Sequence, residues 1–395
     1  MQRNCKSERL KRVMQMKKKV GIVIGVILII LLLVFGILYL VDLDRMANNE
    51  PVLFSTWGRK YAPTVVETKM NLVLSLEDEI TENSAWCGTF NLIWNDLKND
   101  LVKKDIVFEE QSDIVDNLNK GTFTEKDLSE ESYYKIYGTP SLKLKEQIEN
   151  EIKTKFNETS DILDSFDWEN VDEEDYFLYS MLKKEFEFPK EFMELPDGEF
   201  AGYNNVKYFG IDGNAEEEIR DALEEQVEVL YYDSEDSFAI KLKTKGNDEV
   251  IISKGNEEKT FGEMYENIMD RSEEYMGSRY IMIEENLKIP NISFNLKEEI
   301  PEIENKVFTF SNGLDYIISK AMQTIEFELD KSGGRIKSEA GIYADNLSAA
   351  GSYEEPRQFI VDDTFTIFLV EKGKEHPYFA AKISDISKVQ DGVEN

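Results

Sequence analysis

The stretch Thr324–Leu369 constrains the fold most, because a strand pattern runs through residues that are otherwise punctuated as a loop. Ile325, Phe327 and Leu329 alternate with acidic residues, which is the period of a half-buried β-strand. Gly333 and Gly334 are then expected to break the strand into a loop. The alternation nevertheless continues, and every second position beyond the break is small or apolar: Gly334, Ile336, Ser338, Ala340, Ile342 and Ala344. One face of this segment is therefore fit for burial in a sheet.

A small, polar run (Asn346–Glu355) and Pro356 separate this segment from a second apolar strand, Phe359–Leu369. One interpretation is an ordinary hairpin with a long surface loop. The other is a functional loop, because connections longer than about 15 residues without structure of their own are usually functional or disordered. The local pattern alone leaves both interpretations open.

The order of strand, insertable loop and strand resembles the serpin family. Residues 327–336 (FELDKSGGRI) are similar to the proximal hinge of that family, in which an acidic strand runs into a glycine. Residues 359–369 (FIVDDTFTIFL) are similar to its C-terminal signature, with Asp362 and Phe365 in register. Weaker similarities follow in the family's order from about Asn83 to Asp385, and they include a central strand at Tyr176–Phe186 whose matching lysine is Lys183 or Lys184.

This resemblance implies an α+β fold with a large mixed β-sheet, additional sheets, a helical layer and an exposed reactive-centre loop. A serpin inhibitor acts as bait: a protease cuts the loop and forms an acyl-enzyme, and the loop then inserts as a strand. Carried over without gaps, the scissile bond lies at Leu347-Ser348, or at Ser348-Ala349 after a one-residue slip. Leu347 would suit a chymotrypsin-like or elastase-like protease. The hinge residues are Gly333, Gly334, Arg335, Ile336, Ser338 and Ala340.

The hinge also departs from the family, which usually continues with threonine and a run of alanines. Arg335, Lys337 and Glu339 are tolerable on a solvent face, but Ile336 is bulkier than alanine and could slow insertion. A non-inhibitory serpin-fold module for binding or structure at the cell surface is therefore a second hypothesis. An enzyme with paired carboxylates, such as a glycosidase, is a third, although no pattern orders the acidic residues into a site.

An apolar run, Val20–Val41, has the length of about 20 residues that a membrane-spanning helix needs. Eight basic residues and one acid precede it, which by the positive-inside rule keeps the N-terminus cytoplasmic. A cleaved signal peptide is disfavoured, because its apolar region would be shorter and would end in small residues. We therefore expect a single-pass cell-membrane protein with four parts: a basic tail (1–19), a signal-anchor (20–41), a tether (42–62) and an extracellular domain (63–395).

Composition excludes several functions. The formal net charge of −33 argues against nucleic acid as a partner, because phosphates would be repelled. A single histidine, His376, argues against a catalytic triad or a histidine-rich metal site, and no cofactor motif is present. Cys5 and Cys87 would lie on opposite sides of the membrane, so no disulfide is expected, and Cys87 is interpreted as a buried hydrophobe.

Apolar residues at helical spacing predict three helices in the first half of the domain, at 64–81, 84–102 and 142–156. The second helix carries the clearest stripe, in which Trp86, Phe90 and Trp94 would face the core. Further strands are expected over 227–254 and 287–300, and a short helix over 261–269.

Overall fold

Alternating sequence patterns become β-sheets over much of the computed structural model, which describes residues 70–160, 162–169, 171–172, 175–335 and 356–394. The α-helices are α1 (Thr89–Asp96), α2 (Asp113–Lys120), α3 (Leu142–Phe156), α4 (Glu217–Glu224) and α5 (Phe261–Glu274). The first ten strands are β1 (Asn71–Leu72), β2 (Ser84–Cys87), β3 (Tyr133–Gly138), β4 (Phe177–Leu182), β5 (Glu185–Glu187), β6 (Met193–Phe200), β7 (Tyr203–Ile211), β8 (Val227–Ser234), β9 (Ser237–Lys243) and β10 (Asp248–Lys254). The later strands are β11 (Asn286–Pro290), β12 (Ile292–Glu299), β13 (Val307–Thr309), β14 (Asp315–Ile317), β15 (Met322–Asp330), β16 (Gly333–Arg335), β17 (Gln358–Ile360), β18 (Phe365–Glu371) and β19 (Phe379–Ile383).

The largest sheet has seven strands in the order β1-β2-β19-β18-β10-β9-β8, and it is mixed because β1 and β2 are parallel while the other neighbours are antiparallel. All seven residues of β18 are buried, as its nearly continuous apolar sequence suggests. Two four-stranded sheets have the orders β17-β11-β7-β6 and β12-β15-β16-β5, and the pairs β3-β4 and β13-β14 stand apart. The predicted α+β class with a large mixed sheet is confirmed.

The core joins the seven-stranded sheet to the sheet that contains β15. Ile325, Phe327 and Leu329 are buried there, so the predicted half-buried strand is confirmed. The rings of Phe327 and Phe379 stack with their centroids 4.5 Å apart, which connects β15 to β19 across the two sheets. The inner face of β15 is therefore packed against β19.

Two of the predicted helices are wrong in part. Of the segment 64–81, the described residues form β1 and turns, in which Asp78 Oδ2 accepts hydrogen bonds from the backbone N–H groups of Leu74 and Ser75. The segment 84–102 begins as strand β2, and its helix starts only at Thr89 and ends in a π-helical turn. Residues 84–87 are extended because they pair with β19 at the far end of the chain. The predicted helix at 142–156 is confirmed, and Ser141 Oγ caps its first turn.

The predicted strand Phe359–Leu369 divides into β17 and β18, which belong to different sheets. Between them Asp362 forms an ion pair with Lys254 at 2.7 Å and turns the chain from one sheet to the other. Among the described residues, no helix is both long and apolar enough to cross a bilayer. The predicted anchor at Val20–Val41 and the boundaries of the tail and tether lie outside the described residues and stay predictions.

Candidate functional site

The site begins with a tight hairpin between β15 and β16, whose turn is Lys331-Ser332. The three residues of β16 pair with β15 on one side and with β5 on the other, both antiparallel. Gly334, for example, lies between Leu329 and Phe186. The prediction that the two glycines break the strand into a loop is therefore wrong, since they form a short strand inserted between β15 and β5.

Glycine is required at both positions because the strands are too close for a side chain. Gly333 has φ +142°, and a Cβ added there would lie 2.1 Å from the carbonyl oxygen of Phe186. A Cβ added at Gly334 would lie 2.6 Å from the carbonyl oxygen of Glu328 and 2.4 Å from the ring of Phe186. The two glycines thus allow the backbones of neighbouring strands to approach closely, and they do not form a loop.

Acidic residues from three elements surround the last described residue of the hinge, Arg335. Its guanidinium lies 3.2 Å from Glu158, 3.8 Å from Glu185 and 3.7 Å from Glu326. Lys183 also pairs with Glu158, and burial lowers the pKa of Lys183 to about 8. This cluster holds the end of β16 where the described chain stops.

A cavity of about 890 Å³ opens beyond Arg335 between the edges of β4 and β15, and its wall includes Trp94 of α1. Within the described ranges, β4 pairs only with β3, and the first half of β15 pairs only with β12. Among the described residues, no further strand pairs with the facing edges of β4 and β15, which are the edges that an additional strand would need.

A strand that extended β16 in its register would run between the edges of β4 and β15, beside this cavity. Position 336 would lie opposite Phe327 and Lys184, position 338 opposite Ile325 and Leu182, and position 340 opposite Gln323 and Ser180. Positions that share the face of Gly334 would point inward, because Leu329 and Phe186 beside it are both buried. Ile336, Ser338, Ala340, Leu347, Ser348 and Ala349 lie outside the described residues, so the predicted hinge positions beyond Arg335 and the scissile bond stay predictions.

Gln323 closes the inner wall of the cavity. Its Nε2 donates hydrogen bonds to the carbonyl oxygen of Cys87 at 2.9 Å and to Thr89 Oγ1 at 2.8 Å, and so connects β15 to the start of α1. Cys87 itself is buried, and burial raises the pKa of its thiol. Both observations agree with the interpretation of Cys87 as a packed residue.

Arg357 anchors the other end of the segment 336–355. Its Nε and one terminal nitrogen donate to the two carboxylate oxygens of Glu285 at 2.7 and 2.9 Å, and the guanidinium also donates to Tyr275 Oη at 3.0 Å. Further bonds reach the carbonyl oxygens of Ser278 and Tyr280 at 2.8 and 2.7 Å. The next residues form β17, which pairs with β11. No local sequence signal predicted this anchor.

Lys184 lies in a buried charge network beneath β5. Its Nζ contacts Asp248 at 2.5 Å and Glu371 at 2.7 Å, and Tyr378 Oη donates to Asp248 at 3.0 Å. Burial raises the pKa of Asp248, whereas for Glu371 the effect of burial is outweighed by Lys184 and Ser129, and its pKa is lowered. The two lysines that both matched the family's central strand therefore differ: Lys184 is internal, and Lys183 lies at the cavity.

Metal binding finds no support in the described ranges, which contain no group of three or more His, Cys, Asp or Glu residues placed to hold an ion. His376 contacts Asp127 through Nδ1 at 3.0 Å, far along the chain from the hinge.

Comparison with known proteins finds similarity among solved structures. No family model and no curated protein matches the chain. Solved structures do: thyroxine-binding globulin in complex with thyroxine (12% identity, TM-score 0.42), Serpin48 of the insect Tenebrio molitor (12%, 0.39) and human kallistatin (11%, 0.43). Each match covers 77% of this chain and 92–93% of the other. These matches are to serpin structures, in agreement with the resemblance found in the sequence, and at this level of identity and TM-score the function must be argued from the chain's own geometry.

Proposed function

We propose that this chain is a membrane-anchored, serpin-like inhibitor of serine-type or cysteine endopeptidases, and that it has no catalytic activity of its own. One observation carries the proposal: β16 is already inserted between β15 and β5, at the mouth of a cavity that continues in line with it. The segment that follows Arg335 has the alternation of a strand with one buriable face. A sheet in which the short strand β16 ends beside a cavity lined by two strand edges supports a bait-and-trap mechanism.

The proposed reaction starts when the nucleophile of the protease attacks the carbonyl carbon of Leu347, or of Ser348 in the alternative register. An ester or thioester forms, the peptide bond breaks, and the new amino group leaves with a proton. Segment 336 onward is then free at its C-terminal end and enters the cavity between β4 and β15. Hydrogen bonds to both edges, and burial of the inward side chains, drive this step. The attached protease is carried along before water can hydrolyse the acyl-enzyme.

The predicted membrane anchor determines where in the cell the proposed inhibitor would act. The apolar run Val20–Val41 and the basic residues before it support a protein whose N-terminus is cytoplasmic and whose serpin-like domain faces outward. The proposed targets are therefore proteases at the cell surface, of the chymotrypsin or elastase type if Leu347 enters the primary pocket.

Incubation with one chymotrypsin-type and one elastase-type protease tests the proposal. An inhibitor forms a covalent complex that survives denaturing electrophoresis, and the cleaved chain melts at a higher temperature than the intact chain. Cleavage outside residues 336–355, or no cleavage at all, contradicts the proposal.

A non-inhibitory binding module is the second candidate, and one observation favours it. The first inward position to be filled, 336, lies opposite Phe327 and the buried Lys184, where isoleucine is a large side chain. Slow insertion would let the acyl-enzyme hydrolyse. Cleavage without a complex supports this reading, and Ile336→Ala should then increase the fraction of complex if the size of this side chain is the cause.

A further inference from the structure

One end of the cavity beside β16 is aromatic, and the proposed mechanism does not use it. The rings of Phe310 and Tyr316 stack there with their centroids 3.8 Å apart, and the ring of Tyr176 lies 5.7 Å from that of Phe310. All three residues line the cavity. Phe310 is buried whereas Tyr176 is 43% exposed, so this aromatic cluster (Tyr176, Phe310 and Tyr316) reaches from the core to the protein surface.

Further aromatic side chains line the same cavity from α1 and β4. Phe90 and Trp94 of α1 stack with their centroids 6.3 Å apart, and Phe177 of β4 packs edge-on against Phe166 at 4.9 Å. The volume of about 890 Å³ lies within the range of about 300–1,000 Å³ that is typical of sites for small organic ligands. This lining suits an aromatic ligand body, because aromatic rings attract each other beyond the effect of burial.

A buried acceptor in the cavity wall lacks a partner among the described residues. Gln323 is 4% exposed, and its Nε2 already donates to Cys87 and Thr89. Its Oε1 has no hydrogen-bond partner within the described part of the chain. Buried polar atoms are normally paired, so a donor on a ligand would satisfy this oxygen. In the register given above Gln323 faces Ser180, which is four residues and at most about 14 Å from Tyr176.

Carboxylates flank the aromatic cluster. Asp175 and Asp315 line the cavity and are exposed. Both are oriented by neutral donors, because the N–H of Asp172 donates to Asp175 at 2.8 Å and Thr309 Oγ1 donates to Asp315 at 2.7 Å. At the other end of the cavity, the cations around Arg335 are already paired with acids. A cation at the aromatic cluster would therefore gain from both carboxylates and ring faces, whereas an anion would be repelled.

We infer that the cavity of the intact chain binds a small, elongated organic cation. Its positive group lies at the aromatic cluster, its aromatic body lies along α1 and β4, and a hydrogen-bond donor at its far end reaches Gln323. The inference goes beyond the proposed function, because it concerns the chain before any cut and holds whether or not the chain traps a protease.

The test is isothermal titration calorimetry of the full, uncut chain in phosphatidylcholine nanodiscs at pH 7, with empty nanodiscs as the blank. Three probes share a biphenyl body. The first carries an aminomethyl group, which is an ammonium at this pH, at one end and a hydroxymethyl group at the other. The second replaces the hydroxymethyl group with methyl, and the third replaces the aminomethyl group with a carboxylate.

The first probe should bind once per chain with a micromolar Kd. Loss of the hydroxyl should weaken binding by about 3–10-fold, and the carboxylate should weaken it by at least about 10-fold. Equal affinity for the ammonium and carboxylate probes, or no heat above that of empty nanodiscs, overturns the inference. Tighter binding of the probe without the hydroxyl also overturns it, because the donor at Gln323 would then be absent.

A charge variant tests the position of the cation. Asp175→Asn with Asp315→Asn keeps the shapes of two exposed side chains, so the fold should be retained, and it should weaken binding of the first probe by at least about fivefold. The matched control is Asp270→Asn with Asp391→Asn, which removes two exposed carboxylates on α5 and near the C-terminus and should stay within about twofold of the original chain. Equal losses in the variant and the control would show general attraction to an acidic protein and would overturn the inference.

A filling variant tests the cavity itself. Ile318 lines the cavity and is half-buried, so Ile318→Trp should reduce its volume and weaken binding of all three probes. Its matched control is Ile219→Trp on α4, where the side chain is 39% exposed. Both variants are first checked for an unchanged melting temperature. Binding that survives Ile318→Trp in a folded chain places the probe elsewhere and overturns the inference.

Discussion

Replacing Lys184 with methionine should destabilise the domain strongly, because it removes the cation that pairs with two buried carboxylates, Asp248 and Glu371. Lys184, Asp248 and Glu371 are 2%, 2% and 1% exposed. Methionine has a similar volume, so packing is largely kept and the loss is electrostatic. Removal of one partner from a buried ion pair costs about 3–5 kcal/mol, because the remaining charge stays buried without compensation.

The remaining contacts decide where in that range the variant falls. Glu371 keeps hydrogen bonds from the backbone N–H and hydroxyl of Ser129 and from Ser132 Oγ, whereas Asp248, among the described residues, keeps one side-chain bond, from Tyr378. Asp248 is therefore the carboxylate left poorly satisfied. Adding Asp248→Asn to the variant should restore part of the loss, about 1–3 kcal/mol, because the uncompensated charge is gone.

The assay is urea unfolding of residues 63–395, followed by tryptophan fluorescence at pH 7 and pH 5. Without Lys184 the folded-state pKa of Asp248, already raised by burial, rises further above its unfolded value. A group with a raised folded pKa weakens stability as pH rises, so the loss should be largest at pH 7 and smaller at pH 5. The control is Lys245→Met, which breaks an exposed pair with Glu187 at 2.7 Å and should cost less than about 1 kcal/mol. A Lys184→Met loss no larger than that of the control, or one independent of pH, would refute the reasoning.

Three further predictions follow from the same contacts. Gly334→Ala should overpack and displace β16, with a loss of about 1–3 kcal/mol in the free energy of unfolding. On denaturing gels the variant should be cleaved by the protease without forming a complex. The control Gly138→Ala, whose added Cβ has only ordinary contacts, should behave like the original chain. Arg357→Met should leave the buried Glu285 without its cation and loosen β17, so that the uncut segment slowly enters the cavity. Over days the chain should gain melting temperature and lose cleavage at 336–355, and unchanged cleavage would contradict this. The hydrogen bond to Asp127 raises the pKa of His376. Burial alone would raise the pKa of Asp127, but its contacts with His376 and Thr124 outweigh burial and lower that pKa. The stabilisation by this pair is therefore complete at about pH 6 and is lost as pH rises through the folded-state pKa of the histidine. His376→Gln should therefore remove at most about 1 kcal/mol of pH dependence between pH 6 and 8 in urea unfolding, and a larger change would point to another titrating group.

Sequence patterns predicted β15 and α3 because their causes are local. The period-two burial of Ile325, Phe327 and Leu329 is written in neighbouring residues, and so is the cap at Ser141. The strand β2 was mistaken for helix because Trp86 and Phe90 fit a helical stripe, while the pairing that extends the chain comes from β19. Long-range pairing overrode a local pattern there.

In the candidate site too, contacts between residues distant in sequence could not be predicted from local patterns. The alternation of the hinge beyond Arg335 lies outside the described residues and stays a prediction. That Gly333 and Gly334 form a strand could not be predicted, because the cause is the backbone of Phe186 and Glu328 close by in space. The pair Arg357 and Glu285 is separated by 72 residues and carries no motif, so only the folded chain reveals it.

The central position of β18 changes what a cut in the segment 336–355 would mean for the cell. Residues 356–394 contribute β17, β18 and β19, and β18 is hydrogen-bonded to β10 on one side and to β19 on the other. A nicked molecule would therefore remain one particle in gel filtration and separate into two polypeptides only in denaturant. Under the proposed membrane anchoring, proteolysis at this point would not release the domain from the N-terminal segment, and a cell would keep the spent molecule on its surface until it unfolds.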